Sequence, residues 1–258
     1  MNTPRFDIIG CALLGIRSAF AERRYLLGIG LVPVALTAMI EMLKIYGLPQ
    51  ESVMTALLTM LPVSVMTAWF MFLQTRLLVF GERAGQPAAA SGEERRRAFE
   101  ISMLMWLLVQ MGGFGLMLFF LHWSKAVEAG EAAGWMAAVG CLLIGMAFWA
   151  MRFVVAHILG AIGYSIRAYI FRVNGAMVSL RLIALLMILF LPVSLVAGPV
   201  EQGLYTALQT EAQPLIVAGL VITRVFLQFV LLAFFNAAAV FALREMLGKD
   251  GPRRGVMA

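Results

Sequence analysis

The sequence predicts an all-α membrane protein, a polytopic bundle of six transmembrane helices with an interfacial amphipathic helix at its N-terminus. Three observations predict this fold class. The chain is 62% hydrophobic and 13% charged, whereas a soluble domain is about 45–50% apolar and about 25% charged. Six long apolar stretches occupy most of its 258 residues. Lys and Arg collect in alternate gaps between those stretches, as the positive-inside rule describes.

The six stretches predict a single integral membrane domain over residues 1–258. A crossing needs about 20 apolar residues, so six crossings leave short loops and no room for a second domain. The spans are predicted at about residues 25–46, 53–80, 98–121, 133–156, 176–198 and 214–243.

The segment before the first span has the pattern of an amphipathic helix over residues 4–24. Thr3 followed by Pro4 is typical of a helix start. Arg17 lies off the apolar stripe, which repeats at three- and four-residue spacing and consists of Phe6, Ile9, Leu13, Ile16 and Phe20. We expect this helix to lie in the headgroup layer. The alternative is that it simply extends the first span.

Two local features shape the third span. Ser91 and Glu94 have capping-box spacing, which predicts that the basic segment after them continues into this span. Gly112, Gly113 and Gly115 interrupt it midway. Clustered glycines in a membrane helix are typical of close helix contact or a bend; a binding loop is the alternative interpretation.

The basic residues predict the orientation. The N-terminal segment, the regions 81–97 and 157–181, and the C-terminal tail hold fifteen of the 20 Lys and Arg residues, and the three opposite regions hold only Lys44 and Lys125. Both termini are therefore predicted to be cytoplasmic. We expect juxtamembrane charge of this kind to contact anionic lipid headgroups, not nucleic acid.

A shift of 150 residues aligns IIGCALLGIR (residues 8–17) with ILGAIGYSIR (residues 158–167), which makes an internal repeat of interfacial helix plus hairpin a candidate interpretation. The stretch RFVVAHILGAIGYSIRAYIFRVNGAMVSLRLIALLMILFLP (residues 152–192) has a span that ends in Arg, an amphipathic segment and an Arg-led span. This pattern resembles bacterial six-span YciC-like proteins and the membrane domain sometimes joined to glycerophosphodiester phosphodiesterases. The resemblance implies a bacterial inner-membrane protein with no assigned reaction.

Residues that could carry catalysis are sparse. Asp and Glu are almost absent from the spans, so a carboxylate-driven pump is not expected. His122 and His157 fall at opposite faces of the predicted membrane, where each is expected at an interface and where they cannot share a metal. We find no nucleophile motif or nucleotide fingerprint, and we predict no catalytic residues, no metal and no cofactor.

The best site candidates are arginines. Arg224 lies about ten residues into the sixth span, and Gln228 and Asn236 follow it on nearly the same face. Together they predict a polar stripe that binds an anionic ligand. The alternative is that Arg224 snorkels to an interface. The candidates for lipid-headgroup contact are Arg17, Arg76, Arg152 and Arg167.

These features favour a non-enzymatic membrane protein that binds lipid or a partner protein and helps to organise or assemble membrane components. The alternative is a small transporter or channel for an anionic or amphipathic solute, which would use the stripe in the sixth span. A lipid-modifying enzyme would need a nucleophile or a metal site, and the sequence provides neither.

The orientation can be tested with reporter fusions. Fusions after Gln86 and at the C-terminus should report a cytoplasmic location, and a fusion within residues 201–213 should report an external one, because positive charge is retained inside. An inverted result at any of the three sites would contradict the predicted topology.

Overall fold

The computed structural model describes residues 5–47, 53–85, 91–128, 134–173 and 175–248, and all regular structure in these ranges is helical. A 3₁₀ helix, Met151–Phe153, separates the fifth α-helix from the sixth. The α-helices are α1 (Ile8–Ala21), α2 (Arg23–Tyr46), α3 (Val53–Phe80), α4 (Gly92–Glu128), α5 (Gly134–Ala150), α6 (Ala156–Ala161), α7 (Ile166–Arg172), α8 (Ala176–Gln209) and α9 (Pro214–Leu247).

Six of the described helical segments are long and apolar enough to cross a membrane, which confirms the predicted fold class. They are α2, α3, α4, α8, α9 and the segment Gly134–Ala161 that contains α5 and α6. The predicted capping box is present: the Ser91 N–H donates to Glu94 Oε2 at 3.1 Å, and the Glu94 N–H donates to Ser91 Oγ at 3.3 Å. For this reason α4 begins six residues before the predicted span.

The fourth crossing is not one continuous helix. After the 3₁₀ turn, the Ile158 N–H bonds to the carbonyl of Val155, three residues back, instead of following the α-helical register. The span was predicted to end at about residue 156, and the apolar helical segment continues to Ala161. Residues 158–167 contain the turn between α6 and α7, whereas residues 8–17 lie within the continuous helix α1. The internal repeat is not confirmed.

Helix α9 occupies the centre of the bundle, where it packs against α1, α2, α3 and α8. Three consecutive alanines, Ala237–Ala239, are completely buried in it. Small side chains let helix backbones approach closely, and this approach is what holds apolar helices together where no water drives them to associate.

Helix α1 is attached to this centre by its small residues. Cys11, Ala12, Gly15 and Ala19 are buried, and a Cβ atom at Gly15 would lie 2.7 Å from the backbone nitrogen of Ala238 in α9. A break at Glu22 separates α1 from α2, so α1 does not simply extend the first span.

The predicted apolar stripe of α1 is divided between two environments. Phe6 is buried, whereas Ile9, Leu13 and Phe20 are 64%, 49% and 56% exposed. The helix therefore has one face of small residues against the protein and another face of large apolar residues directed away from it. Thr3 and Pro4, at which the helix was predicted to start, lie outside the described residues; the described helix begins at Ile8.

The hairpin of α4 and α5 has the least protein around it. Only 6% of the most apolar window of α4 is buried, compared with 44% in α3. Helix α4 continues through Gly112, Gly113 and Gly115, and a Cβ atom at any of them would contact nothing within 4 Å. The close helix contact expected at these glycines does not occur in the described chain, and the helix continues through them.

The attachment of α1 can be tested with a matched pair of substitutions. Gly15→Ala should destabilise the protein by about 1–3 kcal/mol, because the new methyl group overlaps the Ala238 backbone. Gly28→Ala, on α2, meets no atom within 4 Å and should stabilise the protein slightly through helix propensity. Thermal unfolding in detergent measures both changes. Equal shifts for the two variants would contradict the close contact.

Candidate functional site

The principal buried polar site lies where α3, α6 and α9 meet. We call it the polar junction and define it as Gln74, Thr75, His157 and Asn236, each of which is at most 1% exposed. Buried polar groups are costly in an apolar surrounding unless they bond to one another. The geometry below shows that these four groups do so.

The amide of Asn236 is the hub of the polar junction. Its Nδ2 lies 3.1 Å from Gln74 Oε1, 3.2 Å from the Met71 carbonyl and 3.2 Å from Thr75 Oγ1, and it can donate to each of these. Gln74 Nε2 in turn donates to the Ala233 carbonyl at 2.8 Å. These bonds connect α3 to α9 in the protein interior, where water does not reach them.

His157 attaches α6 to this hub. Its Nε2 lies 3.0 Å from Asn236 Oδ1, and its Nδ1 lies 2.7 Å from the Val154 carbonyl oxygen. The Trp106 ring of α4 contacts the imidazole edge to face, with ring centroids 5.3 Å apart. Trp106 is itself held by a bond from Nε1 to Thr67 Oγ1 at 2.9 Å. The expectation that His157 lies at a membrane interface is therefore wrong, because the ring is buried within the protein.

Arg76 lies beside the polar junction and is part of the protein interior. Its Nε and Nη2 atoms donate to the Glu82 carboxylate at 2.8 and 2.6 Å, and Nη1 donates to the Ala161 carbonyl at 3.1 Å. The side chains of Arg76 and Glu82 are only 6% and 7% exposed. The predicted headgroup contact of Arg76 is corrected, because its guanidinium group forms a bidentate ion pair with Glu82 and a hydrogen bond to the carbonyl at the end of α6.

Arg152 is also enclosed by protein. It is 4% exposed, and its guanidinium carbon lies 4.1 Å from the Trp149 ring centroid. The Tyr169 hydroxyl donates to the Arg152 carbonyl at 2.9 Å, and burial raises the pKa of that hydroxyl. Headgroup contact is corrected here too, since aromatic rings cover the cation. Arg17 and Arg167 are exposed, so their predicted headgroup contacts stay predictions.

The structure does not bring Arg224, Gln228 and Asn236 together in one stripe. Asn236 belongs to the polar junction, Gln228 is exposed, and Arg224 forms an ion pair with Glu201 of α8, with Nε and Oε1 2.9 Å apart. Nineteen uncharged residues separate Arg224 from Arg244, which is about 28 Å of helix and close to the thickness of a bilayer core. Arg224 lies ten residues after Pro214, the first residue of α9. Ligand binding by the three residues stays a prediction.

Two further arginines bond to backbone carbonyls of other segments. Arg244 Nη2 donates to the Leu78 carbonyl in the last turn of α3 at 2.9 Å, and Arg181 Nη1 donates to the Phe6 carbonyl at 3.1 Å. With Arg76, they lie toward the end of the bundle that contains α1, which we call the basic end. At a helix C-terminus, a cation bonds to a carbonyl that the helix leaves unpaired.

Sequence reasoning missed Gln74, Thr75 and Glu82 and misplaced His157. A signal for two of them was available, because Gln74 and Thr75 interrupt an otherwise apolar run directly before Arg76. Polar residues inside a span usually face protein, so Gln74 and Asn236 could both have been assigned to the interior. Their pairing could not have been predicted, because it depends on how α3 and α9 are aligned.

Two observations limit the chemistry that these sites can perform. No group of three or more His, Cys, Asp or Glu residues that could hold a metal occurs in the described part of the chain. The buried thiol of Cys11, in α1, has its pKa raised to about 12 by burial and by the neighbouring Glu245 carboxylate. It is therefore protonated near neutrality and is a poor nucleophile.

Comparison with known proteins adds no relationship to these observations: no protein-family model, curated protein or solved structure matches the chain. The resemblance to six-span YciC-like proteins therefore stays a prediction from the sequence pattern.

The Arg76–Glu82 ion pair can be tested by removing one or both partners. Arg76→Leu should destabilise the protein by about 3–5 kcal/mol, because it leaves a buried carboxylate without a cation. The double variant Arg76→Leu/Glu82→Leu should lose much less, because no buried charge remains uncompensated. Thermal unfolding in detergent measures both. If the double variant were as unstable as the sum of the two single variants, the ion pair would contribute no coupling.

Proposed function

We propose that this protein is a non-enzymatic polytopic protein of the bacterial inner membrane, with both termini cytoplasmic. In this proposal it binds anionic lipid headgroups, or a partner protein in the same membrane, and helps to organise or assemble membrane components. The observation that carries the proposal is the geometry of α1, a helix attached to the bundle by one face while it presents a second apolar face outward.

The outward face of α1 has the chemistry of a membrane-surface helix. Ile9, Leu13 and Phe20 are exposed together, and Arg17 is exposed next to them on the helix surface. A helix of this kind buries its apolar side chains at the boundary of headgroups and acyl chains, and its cations attract anionic lipids. Because α1 is packed against α8 and α9, lipid bound at this face contacts a fixed surface of the bundle.

Other basic residues near the basic end contribute less to lipid binding. Arg96 is paired with Glu100 at 3.0 Å, and Arg97 is paired with Glu93 at 2.8 Å. A carboxylate beside each guanidinium reduces its attraction for a lipid phosphate. Arg17 and Arg167 have no carboxylate within ion-pair distance among the described residues, so we assign the headgroup contacts to them.

The alternative, transport of an anionic solute, has less support. It depended on Arg224, Gln228 and Asn236 lining one interior path, and these residues lie in three different environments. A cleft of about 660 Å³ between α2 and α9 is lined mainly by apolar side chains such as Met39, Met42 and Ile222. Such a lining suits acyl chains better than a hydrated anion.

The proposal can be tested by lipid binding in nanodiscs or detergent. Native mass spectrometry should show that phosphatidylglycerol is retained in preference to phosphatidylcholine. Arg17→Gln should weaken that preference by about 5-fold, as expected for roughly 1 kcal/mol per cation near a charged surface. Arg17→Lys should largely retain it, since the charge remains.

The matched control is Arg96→Gln, which also removes one exposed cation but on α4 and beside a carboxylate. Its effect should be smaller than that of Arg17→Gln. Equal losses for the two variants would mean that only net charge matters, and no loss for either would contradict headgroup binding at α1. Proteins that co-purify with the wild type but not with an Ile9→Ser/Leu13→Ser variant would instead identify a protein partner for the same face.

A further inference from the structure

The ion pair between α8 and α9 leaves most of its hydrogen-bonding groups unused. Arg224 Nε lies 2.9 Å from Glu201 Oε1, within ion-pair distance but without the alignment of a hydrogen bond. The two terminal nitrogens of the guanidinium group carry its other N–H donors, and they bond to no group among the described residues. The side chains of Arg224 and Glu201 are 31% and 52% exposed. Both charges are therefore accessible to a ligand.

A third polar group, the amide of Gln228, lies beside this ion pair. It is exposed, and it forms no hydrogen bond with the described residues either. Gln228 follows Arg224 by four residues, so the two side chains share one face of α9. The amide lies about 6 Å further from the start of the helix. The hydrocarbon chains of lipids cannot bond to any of these three groups.

The helix surface that continues from the ion pair toward the middle of α8 is apolar. Phe190 and Met187 precede Glu201 by 11 and 14 residues, close to whole numbers of helical turns, so they share its face. Both side chains are exposed. Phe190 lies about 17 Å along the helix from Glu201, slightly more than half of a bilayer core about 30 Å thick. A ligand with a charged head and long apolar chains therefore matches both the ion pair and this surface.

We propose that Glu201, Arg224 and Gln228 form a binding site for a phospholipid whose phosphate lies next to a primary ammonium group, as in phosphatidylethanolamine. The free N–H donors of Arg224 have the fork geometry that binds a phosphate with two hydrogen bonds. The Glu201 carboxylate accepts from the ammonium group. Gln228, one turn further along α9, donates to an ester carbonyl of the glycerol backbone.

The carboxylate determines which headgroup the site binds. An anionic headgroup, such as that of phosphatidylglycerol, is attracted by Arg224 but repelled by Glu201 at a similar distance. A choline headgroup has no N–H and cannot donate to Glu201. A primary ammonium group has three N–H donors, as in Lys, and can do so. This site is separate from the exposed face of α1, so it does not rest on the lipid binding proposed there.

The test is lipid retention from nanodiscs with equal amounts of phosphatidylethanolamine, phosphatidylglycerol and phosphatidylcholine, measured by native mass spectrometry. Arg224→Gln should lower phosphatidylethanolamine retention about 10-fold, because a charge-assisted bond to phosphate is lost. Glu201→Gln should reverse the preference toward phosphatidylglycerol, because the cation then acts alone. An unchanged preference in Glu201→Gln would overturn the proposal. Arg17→Gln should leave phosphatidylethanolamine retention unchanged, so a failure at α1 is distinguishable from a failure here.

Two further variants separate binding from folding and from net charge. Arg224→Gln/Glu201→Gln leaves no unpaired charge and should retain the three headgroups equally, with thermal unfolding in detergent as the check on folding. Glu211→Gln removes an exposed carboxylate from the connection between α8 and α9 and should not change the preference. If it changed the preference as strongly as Glu201→Gln, only net charge would matter and the assigned site would be wrong.

The depth of the lipid and its source are tested separately. Gln228→Leu should lower phosphatidylethanolamine retention about 5-fold without changing the headgroup preference, because a bond to an ester carbonyl common to all three lipids is lost. Free phosphoethanolamine has the same phosphate and ammonium groups but no chains. Titrated by calorimetry into the protein in detergent, it should bind far more weakly than the lipid. Saturable binding of free phosphoethanolamine without retention of phosphatidylethanolamine would overturn the assignment to a lipid.

Discussion

The packing of this bundle depends on one constraint: a polar group removed from water inside an apolar phase must bond to protein. The polar junction satisfies this constraint because its side chains each form more than one hydrogen bond. The Asn236 Nδ2 atom donates toward α3 and its Oδ1 atom lies 3.0 Å from His157 Nε2 of α6, so a single amide contacts both neighbouring helices. Because each bond fixes the axial position of one helix against another, the junction determines how α3, α6 and α9 are aligned. Apolar contacts alone would allow them to slide.

The same constraint explains the arginines at the basic end. Arg76, Arg181 and Arg244 each donate to a backbone carbonyl of another segment. The carbonyls of Ala161 and Leu78 lie in the last turns of α6 and α3, where a helix leaves carbonyls unpaired, and the Phe6 carbonyl lies just before α1 begins. A long cationic side chain from a neighbouring helix reaches each of them. Positive charge at this end therefore has two roles. Enclosed arginines connect helices, whereas exposed ones such as Arg17 are free to face the headgroup layer, so counting basic residues predicts an orientation but does not distinguish these roles.

The sequence was sufficient for the fold class because length and hydropathy determine it, and five of the six long helices begin within two residues of the predicted spans. The second span matches α3 over 53–80, and the capping box at Ser91 and Glu94 is formed. The sequence did not predict which side chains bond to one another across helices. Arg76 was assigned to lipid because Glu82, which neutralises it, lies in the loop beyond the span, and His157 was assigned to an interface because the break before α6 was not foreseen. Periodicity describes one helix at a time and contains no information on which helix lies opposite.

The contrast between α9 and α4 relates this packing to the proposed function. Helix α9 packs against four other helices, and its buried Asn236 bonds to groups of the same chain. Helix α4 is almost bare along its apolar window, with glycines that contact nothing in the described chain. Glycine lowers helix stability, and among the described residues no atom packs against these positions to offset that cost. The bundle thus combines a densely packed centre with a hairpin that has little of this chain's protein around it, and the proposed function of binding within the membrane uses that open surface.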